Sequence, residues 1–90
     1  MVGAMIPIKA TTTASRLVAG EAVILSLDTK VLRGLNAVGS RVWDLIDGAR
    51  TLDQIVDVIV AEFDVTRPVA AADVEGFVRQ LVDKGLVAPA

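Results

Sequence analysis

The 90-residue chain contains no cysteine, no histidine and no tyrosine. Without cysteine it can form neither a disulfide nor a thiolate metal site. Without histidine it lacks the commonest general base and the commonest metal ligand. Carboxylates alone could still hold magnesium or calcium, but no Asp/Glu-rich loop of the kind those ions need is present. Ser15, Ser26 and Ser40 have no conventional base near them in sequence. Asp44, Asp47, Asp53 and Asp57 alternate with apolar residues at helical spacing, which is the pattern of a solvated helix face rather than of a buried acid–base pair. Gly34, Gly39 and Gly48 have neither the lysine nor the Gly-x-Gly spacing of a phosphate cradle; at Gly39 a close backbone approach is expected. The sequence therefore predicts a protein that is not an enzyme and that carries no cofactor and no metal.

Other classes fall on charge and length. The net charge is −2 and the sequence pI about 4.8, which disfavours nucleic acid, whose binding runs on clustered lysine and arginine. No apolar run approaches the roughly 20 residues of a membrane span. The start, MVGAMIPIKA, lacks the charged opening of a signal peptide, so no membrane association and a cytoplasmic location are expected. Disorder is excluded as well, since 53% of the residues are hydrophobic and 22% are charged. One domain over 1–90 is the expectation, with 1–9 a flexible tail because Pro7 interrupts it. Pairing of that stretch with a neighbouring strand is the alternative.

What is present is β-structure first and helix second. Thr11 to Val18 is rich in β-branched residues and ends at Ala19-Gly20, and Glu21 to Leu27 follows as the strongest strand. Asp28-Thr29-Lys30 is a polar turn, and Val31 to Leu35 is a third strand. A three-stranded antiparallel meander is the simplest arrangement, with the third strand at its edge. A first helix is expected from Ala37 to Asp47, N-capped by Asn36 and stopped by Gly48. A second opens at Thr51, with Gln54 completing a capping box, and ends near Asp64. Thr66-Arg67-Pro68 reads as a loop, with a helical turn opening at Pro68 as the alternative. A third helix is expected from Asp73, as N-cap, to Lys84, with Gly85 as its stop. Strands and helices are segregated, so the fold class is α+β.

The stretch 31–35 stands out. It is short, mostly apolar and guarded only by Arg33, whereas sheet edges are usually protected by charge, bulges or a cover. An open edge is a template for an added strand. If the third helix lies beside it, a groove forms with Val78 and Val82 at its rim or floor, and with Arg79 and Asp83 reaching solvent. On that reading, Val78→Asp or Val82→Asp weakens binding and leaves the chain folded. A homodimer that covers the edge is the competing use. A helix-turn-helix regulator is a further alternative, and it would need Lys9, Arg16, Lys30, Arg33 and Arg41 to form one basic patch.

An ordered set of residues resembles the PqqD family, the D proteins of pyrroloquinoline-quinone biosynthesis. It runs Gly20-Glu21-Ala22-Val23-Ile24-Leu25, Leu35-Asn36, Gly39, Val42-Trp43, Leu45, Asp47-Gly48 and Arg50-Thr51. It continues with Ile55, Phe63-Asp64-Val65, Asp73-Val74, Phe77, Leu81 and Gly85-Leu86-Val87. The resemblance implies a winged-helix-like domain of three strands and three helices. It implies a non-catalytic chaperone for the leader of a ribosomally made precursor peptide, bound as an added strand. The partner it implies is a modifying enzyme, either a radical SAM protein or a leader peptidase. Carried onto this chain, the groove is Val31, Leu32, Arg33 and Gly34 facing Val78, Arg79, Val82 and Asp83. Quinone-pathway members carry aromatics before the second strand and near the C-terminus. Here Ser15-Arg16-Leu17-Val18 and Leu86-Val87-Ala88-Pro89-Ala90 carry none, which points to another peptide-modification system.

Overall fold

The computed structural model describes residues 2–89. After a 3₁₀ turn at Val2–Ala4 come β1 (Ile8–Lys9), β2 (Thr13–Val18), β3 (Glu21–Ser26) and β4 (Leu32–Gly34). Three helices follow, α1 (Ala37–Leu45), α2 (Leu52–Glu62) and α3 (Arg67–Asp83), and the chain closes with β5 (Val87–Ala88). The main sheet is antiparallel in the order β2-β3-β4. The α+β class and the edge position of the third strand are as expected.

The β2–β3 turn is tight because Ala19 and Gly20 both take positive φ, 54° and 82°, the two-residue geometry whose twist suits a hairpin. Along β3, Ala22, Ile24 and Ser26 are buried under the helices, while Val23 and Leu25 lie on the other face. The helices place Val42, Leu45, Ile55, Ile59, Val74 and Leu81 in one core with Ile24. Asn36 caps α1 by accepting the Gly39 N–H at 2.8 Å. Thr51 and Gln54 form the expected capping box, with bonds of 3.2 and 2.8 Å.

Two devices join α1 to the sheet. Leu35 N–H donates to Ala22 O at 2.9 Å, but the return bond of that pair is spliced by a side chain. The Ala22 N–H donates to Ser40 Oγ at 2.7 Å, and Ser40 Oγ donates to Leu35 O at 3.3 Å. Trp43 is buried, and its Nε1–H donates to Ser15 Oγ of β2 at 3.0 Å. The expected close approach at Gly39 is present: a Cβ there would lie 3.1 Å from Asn36 Oδ1 and 3.4 Å from Phe77 Cζ.

Three expectations are corrected. Residues 2–9 are not laid out as a tail: Pro7 is buried, and Ile8 and Lys9 pair with Ala88 and Val87. Met1 lies outside the described residues. The third helix starts at Arg67, six residues before Asp73. Pro68 suits the first helical turn, where its missing N–H would be unpaired anyway. Ala70 is buried against the core, and Arg67 pairs with Asp57 of α2. Asp73 is thus an exposed mid-helix residue rather than a cap. The first helix ends at Leu45. Asp47 instead accepts the N–H groups of Ala49 and Arg50, both at 2.9 Å. These two bonds hold its carboxyl below the usual aspartate range, with the Arg50 N–H the larger cause.

Candidate functional site

The bond pattern of β4 decides which of its backbone groups are free. Ser26 N–H donates to Val31 O at 3.0 Å, and Leu35 N–H donates to Ala22 O at 2.9 Å. Antiparallel pairing alternates, so Val31, Arg33 and Leu35 face β3 with their backbone groups. Leu32 and Gly34 turn theirs outward, to an edge with no further strand among the described residues. Side chains alternate the other way. Arg33 lies opposite Ile24, on the helix side, whereas Leu32 sits opposite Leu25 on the outer face and is 68% exposed. At Gly34 a Cβ would meet nothing within 4 Å.

Two hollows lie near this edge: the first is lined by residues of α1 and α3 and by none of β4, and the second is lined in part by β4. One, of about 420 Å³, lies among Asn36, Val38 and Gly39 on one side and Asp73, Gly76, Phe77 and Gln80 on the other. The second, of about 300 Å³, lies among Ile24, Ser26, Val31, Arg33, Lys84 and Leu86. Arg33 Nη2 donates to Gln80 Oε1 at 3.5 Å, a contact formed by residues from both hollows. The α3 residues that line the first hollow are Ala72, Asp73, Val74, Gly76, Phe77 and Gln80, and Lys84, the C-cap of the helix, lines the second.

Val31 and Arg33 line the second hollow, and Leu32 and Gly34 supply the open backbone. The α3 partners differ from expectation. Val78 is 1% exposed and belongs to the core. Arg79 and Val82 line a separate hollow of about 200 Å³ with Met5, Leu52 and Pro89. Asp83 is exposed at the helix end. Val78, Arg79, Val82 and Asp83 thus line neither of the two hollows near β4. The apolar stripe of α3 is largely consumed by the core, and it is Gln80 and the C-cap Lys84 that come near β4. Asn36, Val38, Gly76, Phe77, Gln80 and Lys84 were missed. Gly76, an unexplained glycine inside a helical pattern, was the signal available.

The alternative basic patch does not assemble. Lys9, Arg16 and Arg41 meet in a hollow under β2, where Lys9 Nζ stands 4.8 Å from the centre of the Trp43 ring. Arg33 lines the groove instead. Arg41 is matched by Glu62 and Asp44, each at 2.8 Å. Its bond to Glu62 raises the arginine pKa and lowers that of the glutamate. What the β4 groove offers is unpaired backbone, apolar hollows and a few polar rim groups, which suits holding an extended chain.

The fold is shared with known proteins. A solved chain described as "TbiB1 in Complex with the TbiA(beta) Leader Peptide" is 38% identical, with a TM-score of 0.83, over 89% of this chain and 93% of that one. Another, "Lasso peptide synthetase B1 complexed with the leader peptide", shares the fold at 15% identity, with a TM-score of 0.84, over 93% of this chain and 99% of that one. A search of curated proteins found no match. The family model of coenzyme PQQ synthesis protein D matches residues 21–87, and the chain belongs to the PqqD family.

Proposed function

We propose that this protein binds the leader of a ribosomally synthesised precursor peptide as a strand added to β4, and presents it to a modifying enzyme. The observation that carries the reading is the pair Leu32 and Gly34, with outward backbone groups beside an apolar groove. It is supported by 38% identity to TbiB1, whose solved structure contains a leader peptide. The same likeness favours a modified-peptide system other than quinone biosynthesis. The role is non-catalytic: strand and groove hold the leader, and the chemistry belongs to the partner, a radical SAM protein or a leader peptidase.

The energetics set what the leader must look like. Two outward-facing residues give four backbone groups, each bond worth about 1 kcal/mol net. Ordering a flexible peptide costs a comparable amount, so apolar anchors in the hollows must supply the affinity. Side chains on one face of the added strand repeat every two residues, about 7 Å, and the leader should carry large apolar residues at that interval.

The test is an amide-shift titration of the labelled protein with each short peptide encoded beside its gene. Shifts concentrated at Val31 to Leu35 and at Asp73, Gly76, Phe77, Gln80 and Lys84 are expected. Silence up to about 1 mM, where roughly −4 kcal/mol of binding already registers, would overturn the reading. Shifts that follow protein concentration alone would assign the edge to a second copy.

A further inference from the structure

Position 76 has a glycine that the chain itself does not use. It lies inside α3, a helix of 17 residues, where glycine is less favourable than alanine. Its φ is not positive, so the backbone does not require it. Nor does packing: a Cβ at Gly76 would meet nothing within 4 Å, whereas one at Gly39 would press on Asn36 and Phe77. Gly76 is exposed and lines the larger hollow, between α1 and α3, with Asp73 and Gln80 on its own helix and Asn36 and Val38 across from it, and Gln80 joins this hollow to β4 through its bond with Arg33.

We infer that Gly76 is a specificity-determining residue, which lets a bulky apolar side chain of the bound strand cross close over the α3 backbone. The inference rests on the strand-addition reading and adds a requirement to it: one fixed position of the ligand must be large, because the hollow above Gly76 is otherwise empty. A side chain at position 76 would fill that space from the protein's side. The helix gives up some stability at this position, and the return appears only in the complex.

The experiment uses a displayed library of random linear peptides, selected on wild type, Gly76→Ala, Gly76→Leu and the control Ala61→Leu, whose site is exposed on α2. Wild type and the control should enrich a large apolar residue at one fixed position. Gly76→Leu should enrich a small residue at that same position. Gly76→Ala should melt about 4–8 °C higher, as a gain in helix propensity predicts, and yet bind the wild-type peptides at least ~10-fold more weakly. Unchanged consensus and affinity in the folded Gly76 variants would overturn the inference and leave strand addition standing. Failure of wild type to enrich any peptide would instead remove the strand-addition reading, and this inference with it.

Discussion

Leu32→Pro should abolish much of the peptide affinity and leave the fold nearly untouched, while Arg33→Pro, one residue along, should lower the stability of the fold itself. The difference follows from the ladder. The Leu32 N–H points away from β3, so proline there removes no sheet bond, and proline is tolerated on the outward side of an edge strand. It does remove one docking donor, about 1 kcal/mol net, and its ring stands where the added strand's carbonyl would approach. An acceptor left dry costs about 1–3 kcal/mol more. At 1.4 kcal/mol per decade, the loss should reach at least ~10-fold. Arg33 faces β3 across from the buried Ile24. Proline there deprives a buried carbonyl of its donor, about 1–3 kcal/mol of stability, or roughly 4–8 °C of melting temperature per kcal/mol in a domain of this size. The assay is calorimetric titration with the neighbouring-gene peptide that shifts the β4 amides, beside thermal melts of both variants. A Leu32→Pro protein that binds as wild type, or that melts as low as Arg33→Pro, would refute the assignment of free and paired groups.

Three further outcomes are expected. Val78→Asp should unfold the chain rather than merely weaken binding, since an unpaired buried charge costs several kcal/mol against about 5–15 kcal/mol of total stability; a far-ultraviolet melt without a cooperative transition would show it. Ser40→Ala should strand the Ala22 N–H, destabilise by about 1–3 kcal/mol and speed hydrogen exchange at that amide, and unchanged exchange would disprove the spliced ladder. Asp47→Asn should melt lower than wild type at neutral pH. The folded carboxyl titrates below its ordinary 3.8, so the charge stabilises above that value and its contribution disappears as the pH falls through the depressed folded value. The two melting temperatures should therefore converge in acid, and a constant gap down to the lowest pH would assign the effect to shape rather than charge.

The three strands of the main sheet, the capping box and the edge position of β4 are legible because each is written in local chemistry: β-branched runs, turn residues and a Thr51/Gln54 pair three residues apart. The register was not written there, and it decides that Leu32 and Gly34 rather than Arg33 offer free backbone. The start of α3 was misplaced for a related reason. Asp73 has the chemistry of a cap, but the helix is nucleated earlier, by Pro68 and by burial of Ala70, and burial is a tertiary fact. The groove shows the deepest limit. An apolar stripe such as Val74, Val78 and Leu81 says that a helix has an inside, and a small domain spends that inside on its own core. A binding face on such a helix must then come from residues that flank the stripe, which are polar, small or isolated and carry no periodic signal. Asp73, Gly76, Gln80 and Lys84 are of that kind. Only Gly76 breaks a local rule, because it weakens the helix without a reason inside the chain. In a sequence that is otherwise locally consistent, that breach marks the side of α3 that lines the hollow, which the hydrophobic pattern does not.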